Sequence, residues 1–404
     1  MQASIVTTAP APHRFWLVAA LGAALVALGL GAAHYMEVEG HVVTGMNNHV
    51  VWGLPHVFAI FLIVAASGVL NVASIGSVFG KAPYKARAPL SGLLCLAMLA
   101  GGLMVLMLDL GRPDRLVVAA THYNFKSMFA WNVFLYSGMA ASVAVYLWTL
   151  MERRMSAHSK KAGLAAFIWR LVLTTGTGSI FGFLVARQAY GSALLAPMFI
   201  VMSFAWGLAV FLLAQAAVYA WNGMTVPAHA SRRMTRLLGV FVAATLYLVA
   251  AHHMTNLYFA RQLDFERFIL VDGGVYPLLF WVGYVVIGSV IPLWLVFGAD
   301  AARPRNALLA SALVIVGAFC ALYVFIIGGQ AFPLELFPGA DTRSTFYDGQ
   351  VAPYTPSLPE LLLGLGGVAA SFLVTVIGVH VLDFLPRDPA PAPGAPADGG
   401  TVPR

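Results

Sequence analysis

Charged side chains are scarce. Asp, Glu, Lys and Arg make up 10% of the 404 residues, against about 25% in an ordinary soluble domain. Hydrophobic residues make up 60%, and the mean hydropathy is +0.83. Folded in water, such a chain would expose far more contiguous apolar surface than a soluble protein tolerates. This excludes a soluble enzyme, a nucleic-acid binder and a disordered protein. The net charge of +7 then reads as Lys and Arg in the loops of a membrane protein rather than as a nucleic-acid footprint. Cysteine is nearly missing as well. Cys95 and Cys320 both lie inside apolar runs, and no CxxC, CxxCH or four-cysteine cluster occurs. The chain therefore carries no ligand set for an iron–sulfur cluster or a c-type haem. The two thiols read as small packing residues. No connection is long enough for a soluble domain.

What is there is a series of apolar runs. A bilayer core needs about 20 apolar residues per helix. Ten segments meet that test: 15–33, 50–73, 90–108, 128–150, 164–186, 193–221, 237–259, 275–297, 307–328 and 358–384. The expected fold class is all-α, a polytopic membrane protein of about ten helices. The first run could be the apolar region of a signal peptide, since Gly31-Ala32-Ala33 is small. Its length, with only Arg14 as a preceding positive charge, favours a retained helix after a tail at 1–14.

Loop charge gives the orientation. With the N-terminus inside, 15 of the 23 basic residues fall in inside loops, among them Lys81, Lys85, Arg153, Arg154, Arg232 and Arg233. Acidic residues show the reverse bias. The positive-inside rule thus places both termini in the cytoplasm. The longest connection, 329–357, is then external. The tail at 385–404 is rich in Pro, Ala and Gly and reads as disordered. Trp131 with Gly138, and Trp281 with Gly288, share a spacing near the outer starts of the fourth and eighth spans. This echo suggests two parallel four-helix units.

Polar residues near hydrocarbon are the informative ones, and most sit at the outer ends of spans. Asn48, His49 and His56 open the second span, where the seven-residue interval would put both histidines on one helix face. They read either as interfacial residues beside Trp52 or as a hydrogen-bonding wall for a polar headgroup. Asp109 closes the third span, within LDLGRPDR. Arg112 is placed either to pair with it or to clamp a partner, and Pro113 to stop the helix. His122, Tyr123, Asn124 and Lys126 lead into the fourth span, with Ser127 as a helix cap and Asn132 needing a partner inside it. His252 and Asn256 share a face at the end of the seventh span. One stripe crosses the hydrocarbon: Arg170, Thr174 and Thr177. Either Arg170 snorkels inward and the threonines bond to backbone, or the stripe, with His252, forms part of a proton path. A haem b would need two histidines at one depth on facing helices. His56, His252 and His253 all lie toward the outer side and could supply such a pair, but a lone histidine per helix reads more simply as hydrogen-bonded.

LDLGRPDR ending one span and NFKSMFAWNVFLYSG opening the next resemble the NrfD/PsrC family of integral membrane subunits of respiratory complexes. GMNNHVVWGLPHVFAIFL, AHHMTNLYFARQ and GGVYPLLFWVG look most like its DsrP branch, from Dsr-type sulfur-metabolism complexes. The resemblance covers about 45 to 297. It implies a bacterial inner-membrane protein of two four-helix bundles, 50–186 and 193–297 with 307–328. These would be flanked by the helices at 15–33 and 358–384. It implies a quinone or quinol (menaquinone or ubiquinone) at the outer face and no redox metal in this chain. It implies a periplasmic ferredoxin-like iron–sulfur subunit, a multihaem cytochrome c and further membrane and cytoplasmic subunits as partners. Carried onto this sequence, the quinone site takes Asn48, His49, His56, Asp109 and Tyr123. Arg112, His122, Asn124 and Lys126 support the site or the docking partner. Two rivals remain. A secondary transporter needs broken helices with a midplane site, whereas here the polar residues crowd one face. A membrane anchor without its own redox site is not separable by sequence.

Overall fold

In hydrocarbon no water bonds the amides, so apolar segments satisfy their backbone internally and fold as helices. The computed structural model describes residues 12–224, 226, 228–298, 303–334 and 349–382, and these contain helices and turns but no strand. Ten helices are long and apolar enough to cross a membrane. They are α1 (His13–Glu39), α2 (Leu54–Ser77), α3 (Ala88–Leu108), α4 (Met128–Met151) and α5 (Arg153–Gly182). The others are α6 (Leu195–Trp221), α7 (Ser231–Tyr258), α8 (Val275–Phe297), α9 (Pro304–Ala331) and α10 (Leu358–Val381). All ten expected spans are present. Most of the differences at the ends have one cause: apolar residues mark the hydrocarbon depth, while helices such as α5 and α7 continue into polar turns. The expected tail at 385–404, residues 1–11 of the expected N-terminal tail and residues 335–348 of the expected external loop lie outside the described residues.

Helix α2 is the centre of the molecule. It is apolar all round, as a fully surrounded helix must be, and it packs against α3, α5, α6, α9 and α10. Its closest approach is to α6. A Cβ on Gly68 would run into the Ser203 carbonyl, and one on Gly207 into the Gly68 backbone. The two helices touch main chain to main chain, which small residues alone permit. Helix α1 packs on α10 through Gly29 and Gly366. Outward faces stay apolar, with Trp16, Leu17, Tyr247 and Phe372 exposed.

The Trp–Gly echo has a structural counterpart. Trp131 Nε1 donates to the Phe125 carbonyl at 2.8 Å, and Trp281 Nε1 to the Leu270 carbonyl at 2.9 Å. Each indole ties its helix to the segment before it. Gly138 faces Trp169 of α5 and Gly288 faces Gly317 of α9, so each glycine admits the next long helix. Helix α8 is wound wider than an α-helix over Leu279–Val290, as is α9 over Val324–Gly328. Such turns shift side chains out of α-helical register and are frequent near functional sites. A largely apolar cavity of about 680 Å³ lies between α1, α2, α3, α6, α9 and α10, with Asn222 and His380 at one end.

Candidate functional site

Helix α2 starts late. Gly53 precedes it and Pro55 sits in its first turn, where proline's missing N–H costs nothing. The residues before it are not helical, so their backbone groups need other partners. Three distant elements supply them. Gln330, in the last turn of α9, accepts from the N–H groups of Val51 and Trp52, each at 3.0 Å. Its amide donates to the Trp52 carbonyl at 3.0 Å and the Ile326 carbonyl at 2.9 Å. Arg187, between α5 and α6, donates to the carbonyls of Gln330 at 2.8 Å and His49 at 2.9 Å.

Glu360 is the third element. It lies in the first turn of α10, fully buried at 0% exposure. Its carboxylate accepts from Gly45 N–H at 3.0 Å, Ser357 N–H at 2.7 Å and the Tyr354 hydroxyl at 2.8 Å. Ser357 and Glu360 form a reciprocal capping box. The Tyr354 oxygen accepts in turn from Leu54 N–H at 2.6 Å. Burial and the adjacent Glu360 push the Tyr354 hydroxyl far above its ordinary value, so it stays a donor.

On this scaffold His56, in the first turn of α2, meets Asp109, just past the end of α3. Nδ1 and Oδ2 are 3.9 Å apart, with side-chain exposures of 14% and 5%. That is an ion-pair distance, too long for a direct hydrogen bond. Asp109 Oδ1 is buried with no hydrogen-bond partner. Burial raises the Asp109 carboxyl above its ordinary value, and His56 and His41 offset only part of this. The Trp52 indole lies over the His56 imidazole, with centroids 5.2 Å apart and planes 9° apart. The site thus offers an imidazole, a carboxyl with a free acceptor oxygen and a flat aromatic plate. That set can hold and pass a proton beside a planar ring. Helix α3 stops because Gly111 adopts φ +69°, and a side chain there would meet the His41 imidazole; the chain turns before it reaches Pro113.

Several expected residues lie elsewhere. His49 is buried but precedes α2, so it shares no helix face with His56; its N–H is held by the Asn47 side chain at 2.9 Å. Asn48 is exposed. Arg112 does not pair with Asp109. It turns to Asp114 through bonds of 3.0 and 3.1 Å, because that carboxylate is two residues away and both can stay in water. Tyr123 stacks on Phe134, with centroids 4.4 Å apart, in an aromatic rim with Phe125 and Trp131. His122 bonds to Thr121 at 3.0 Å, the Asn124 side chain accepts from Lys126 N–H at 3.0 Å, and all of these side chains are exposed. Ser127 precedes α4 without a side-chain cap, and Asn132 donates to the Met128 carbonyl at 2.8 Å.

Arg170 does not snorkel. It is 1% exposed, between the rings of Phe167 and Phe204, and donates to the Ser67 carbonyl at 3.3 Å. Residues of α2, α5 and α6 enclose it before it can reach water. The Thr174 hydroxyl bonds to Ser67 at 2.6 Å, and Thr177 donates to the Leu173 carbonyl at 3.0 Å. His252 lies on α7, bonded to Asn256 at 3.3 Å. No group of three or more His, Cys, Asp and Glu placed for a metal ion occurs among the described residues.

Sequence reasoning passed over Gln330, Tyr354 and Glu360. The S-L-P-E run at 357–360 was a readable capping signal, and Gln330 is a polar residue at the end of an apolar run.

A family model described as "Polysulphide reductase, NrfD" matches residues 42–334. The chain belongs to the NrfD family. The match takes in the Val51–Trp52 segment that Gln330 clamps and ends just beyond Gln330 itself, leaving Glu360 outside. A relative from Archaeoglobus fulgidus, an Hdr-like menaquinol oxidoreductase integral membrane subunit, is 28% identical over 90% of this chain and 92% of its own. A putative dimethyl sulfoxide reductase membrane subunit from Halobacterium salinarum is 26% identical over 94% and 93%. A selenate reductase subunit from Mesobacillus selenatarsenatis is 21% identical over 85% and 88%. With its ten apolar helices, this NrfD-family chain is a multi-pass integral membrane protein.

Proposed function

We propose that this chain is the quinone- or quinol-interacting membrane subunit of a multi-subunit oxidoreductase complex, with its site at His56 and Asp109. The observation that carries this reading is the buried, unpartnered Asp109 Oδ1 beside His56, under the Trp52 plate. The relatives support it, since one is named for menaquinol oxidoreduction and two are named as subunits of reductases. The loop charges support cytoplasmic termini in a bacterial inner membrane and a site at the periplasmic face. The helices divide into bundles at 50–186 and at 193–297 with 307–328. The partners are a ferredoxin-like iron–sulfur subunit on that face, a multihaem cytochrome c and further membrane and cytoplasmic subunits of a Dsr-type complex.

Quinol oxidation releases two electrons and two protons; the electrons pass to the iron–sulfur partner. Asp109 Oδ1 is the acceptor free to take a hydroxyl proton. His56 Nδ1 stands 3.9 Å from the other carboxyl oxygen and shares the proton load. Trp52 orders the imidazole, and the Gln330–Arg187–Glu360 clamps fix the segment that carries Trp52. Asn48, His49 and Tyr123 line the approach, with Arg112, His122, Asn124 and Lys126 on the exposed docking rim. The test replaces His56 with Gln and Asp109 with Asn, and measures quinol-linked reduction of the iron–sulfur partner in membranes. A fall of at least about tenfold is expected for loss of a proton-transfer group; unchanged rates in an assembled complex overturn the assignment.

A further inference from the structure

A second cluster of ionisable side chains lies away from His56 and Asp109, among α6, α7, α8 and α9. Glu266, on the short helix Leu263–Arg267, is 0% exposed. Its Oε2 is 2.6 Å from His253 Nδ1, and its Oε1 accepts from Asn256 Nδ2 at 2.7 Å. The same Asn256 nitrogen lies 3.3 Å from His252 Nε2. These bonds fix the protons. An amide nitrogen only donates, so His252 Nε2 accepts. The proton of neutral His252 then sits on Nδ1. That atom is buried and has no partner, on a side chain 5% exposed.

His252 and His253 both line a cavity of about 50 Å³, together with Met202, Trp206, Phe280 and Tyr284. A buried water needs about 10–15 Å³ of such space and polar partners, and apolar cavities without them stay dry. The volume admits a few waters and is far below the several hundred Å³ of a cofactor-sized pocket. Here the polar partner is the unmatched His252 N–H. The side chains that α6 and α9 present to the cavity are apolar, so its titratable groups are His252, His253 and Tyr284, with Glu266 behind His253. Arg261, Asp264 and Arg267 are nearby in sequence but exposed.

We propose that this cavity is a hydrated proton-exchange site: water bound at His252 Nδ1, linked through Asn256 to a His253–Glu266 pair that binds and releases one proton. With the proton bound, His253 is an imidazolium beside the Glu266 carboxylate and the cluster is neutral. When it leaves, to cavity water or through the 17%-exposed His253 side chain, neutral His253 donates Nδ1–H to Glu266 and the cluster carries one negative charge. The site does not depend on the quinone assignment.

Infrared difference spectroscopy of the full chain in lipid nanodiscs, stepped in pH, tests it. The spectra are taken in an Asp109→Asn background, which removes the His56–Asp109 pair. The expected result is a carboxyl and an imidazole band that titrate together, with an O–H band shifted by H₂¹⁸O. Glu266→Gln, close in size, should remove both titrating bands. Asn256→Leu should leave them and alter the water band. Independent midpoints for the two bands, no ¹⁸O-sensitive band, or an imidazole titration that survives Glu266→Gln each overturn the proposal. The first two readings use unaltered Glu266, so they decide even if Glu266→Gln fails to fold.

Discussion

His56 Nδ1 and Asp109 Oδ2 stand 3.9 Å apart because His56 lies in the first turn of α2 and Asp109 directly follows the last turn of α3. The antiparallel pair brings its two open ends to one face. Burial holds the Asp109 carboxyl above its ordinary value of 3.8. The folded protein therefore keeps a proton that the unfolded chain has already lost. Stability from this group is fully present below 3.8 and declines as pH rises through the folded-state value. Asp109→Asn removes that slope. Melting temperatures followed upward from pH 3.8 should fall in the wild type relative to the variant, whereas parallel curves contradict the burial of this carboxyl.

Gln330 bonds four backbone groups, two of them on Trp52. Gln330→Ala strands several of these in a poorly solvated place. The expected cost is about 1–3 kcal/mol, read as a lower melting temperature in detergent. Arg112→Ala is the control. Its partner Asp114 is exposed, and melting should be unchanged.

The α2–α6 crossing leaves no room at Gly207. Gly207→Ala should destabilise by about 1–3 kcal/mol or more, since backbone rather than a flexible side chain stands in the way. Gly31→Ala, on α1 with nothing within 4 Å, should be neutral or slightly stabilising because alanine is the better helix former. Equal effects at the two sites would contradict the main-chain contact.

Glu360 is a fully buried carboxylate with three donors. Glu360→Gln replaces an acceptor with a donor and leaves one of them opposed. The segment from Gly45 to Leu54 should loosen, seen as faster amide hydrogen exchange there than in α5.

The ten spans were legible because a run of about 20 apolar residues has few other uses. Their ends were not. The start of α2 depends on Pro55 and on partners at Gln330 and Glu360, hundreds of residues away, so His49 read as helical when it is not. Asp109 stood out because a carboxylate directly follows an apolar run. Its pairing with His56, rather than with Arg112, follows from helix geometry that local spacing does not contain. Arg170 looked able to snorkel; its own helix α5 and the neighbouring α2 and α6 close over it instead.

The most direct test of the quinone assignment is photoaffinity labelling with a menaquinone analogue in membranes that hold the assembled complex. Crosslinks should map to residues 45–56 and 107–115 and fade in His56→Gln and Asp109→Asn. Labelling confined to the large apolar cavity beside α1 and α10, or unchanged in both variants, would contradict it.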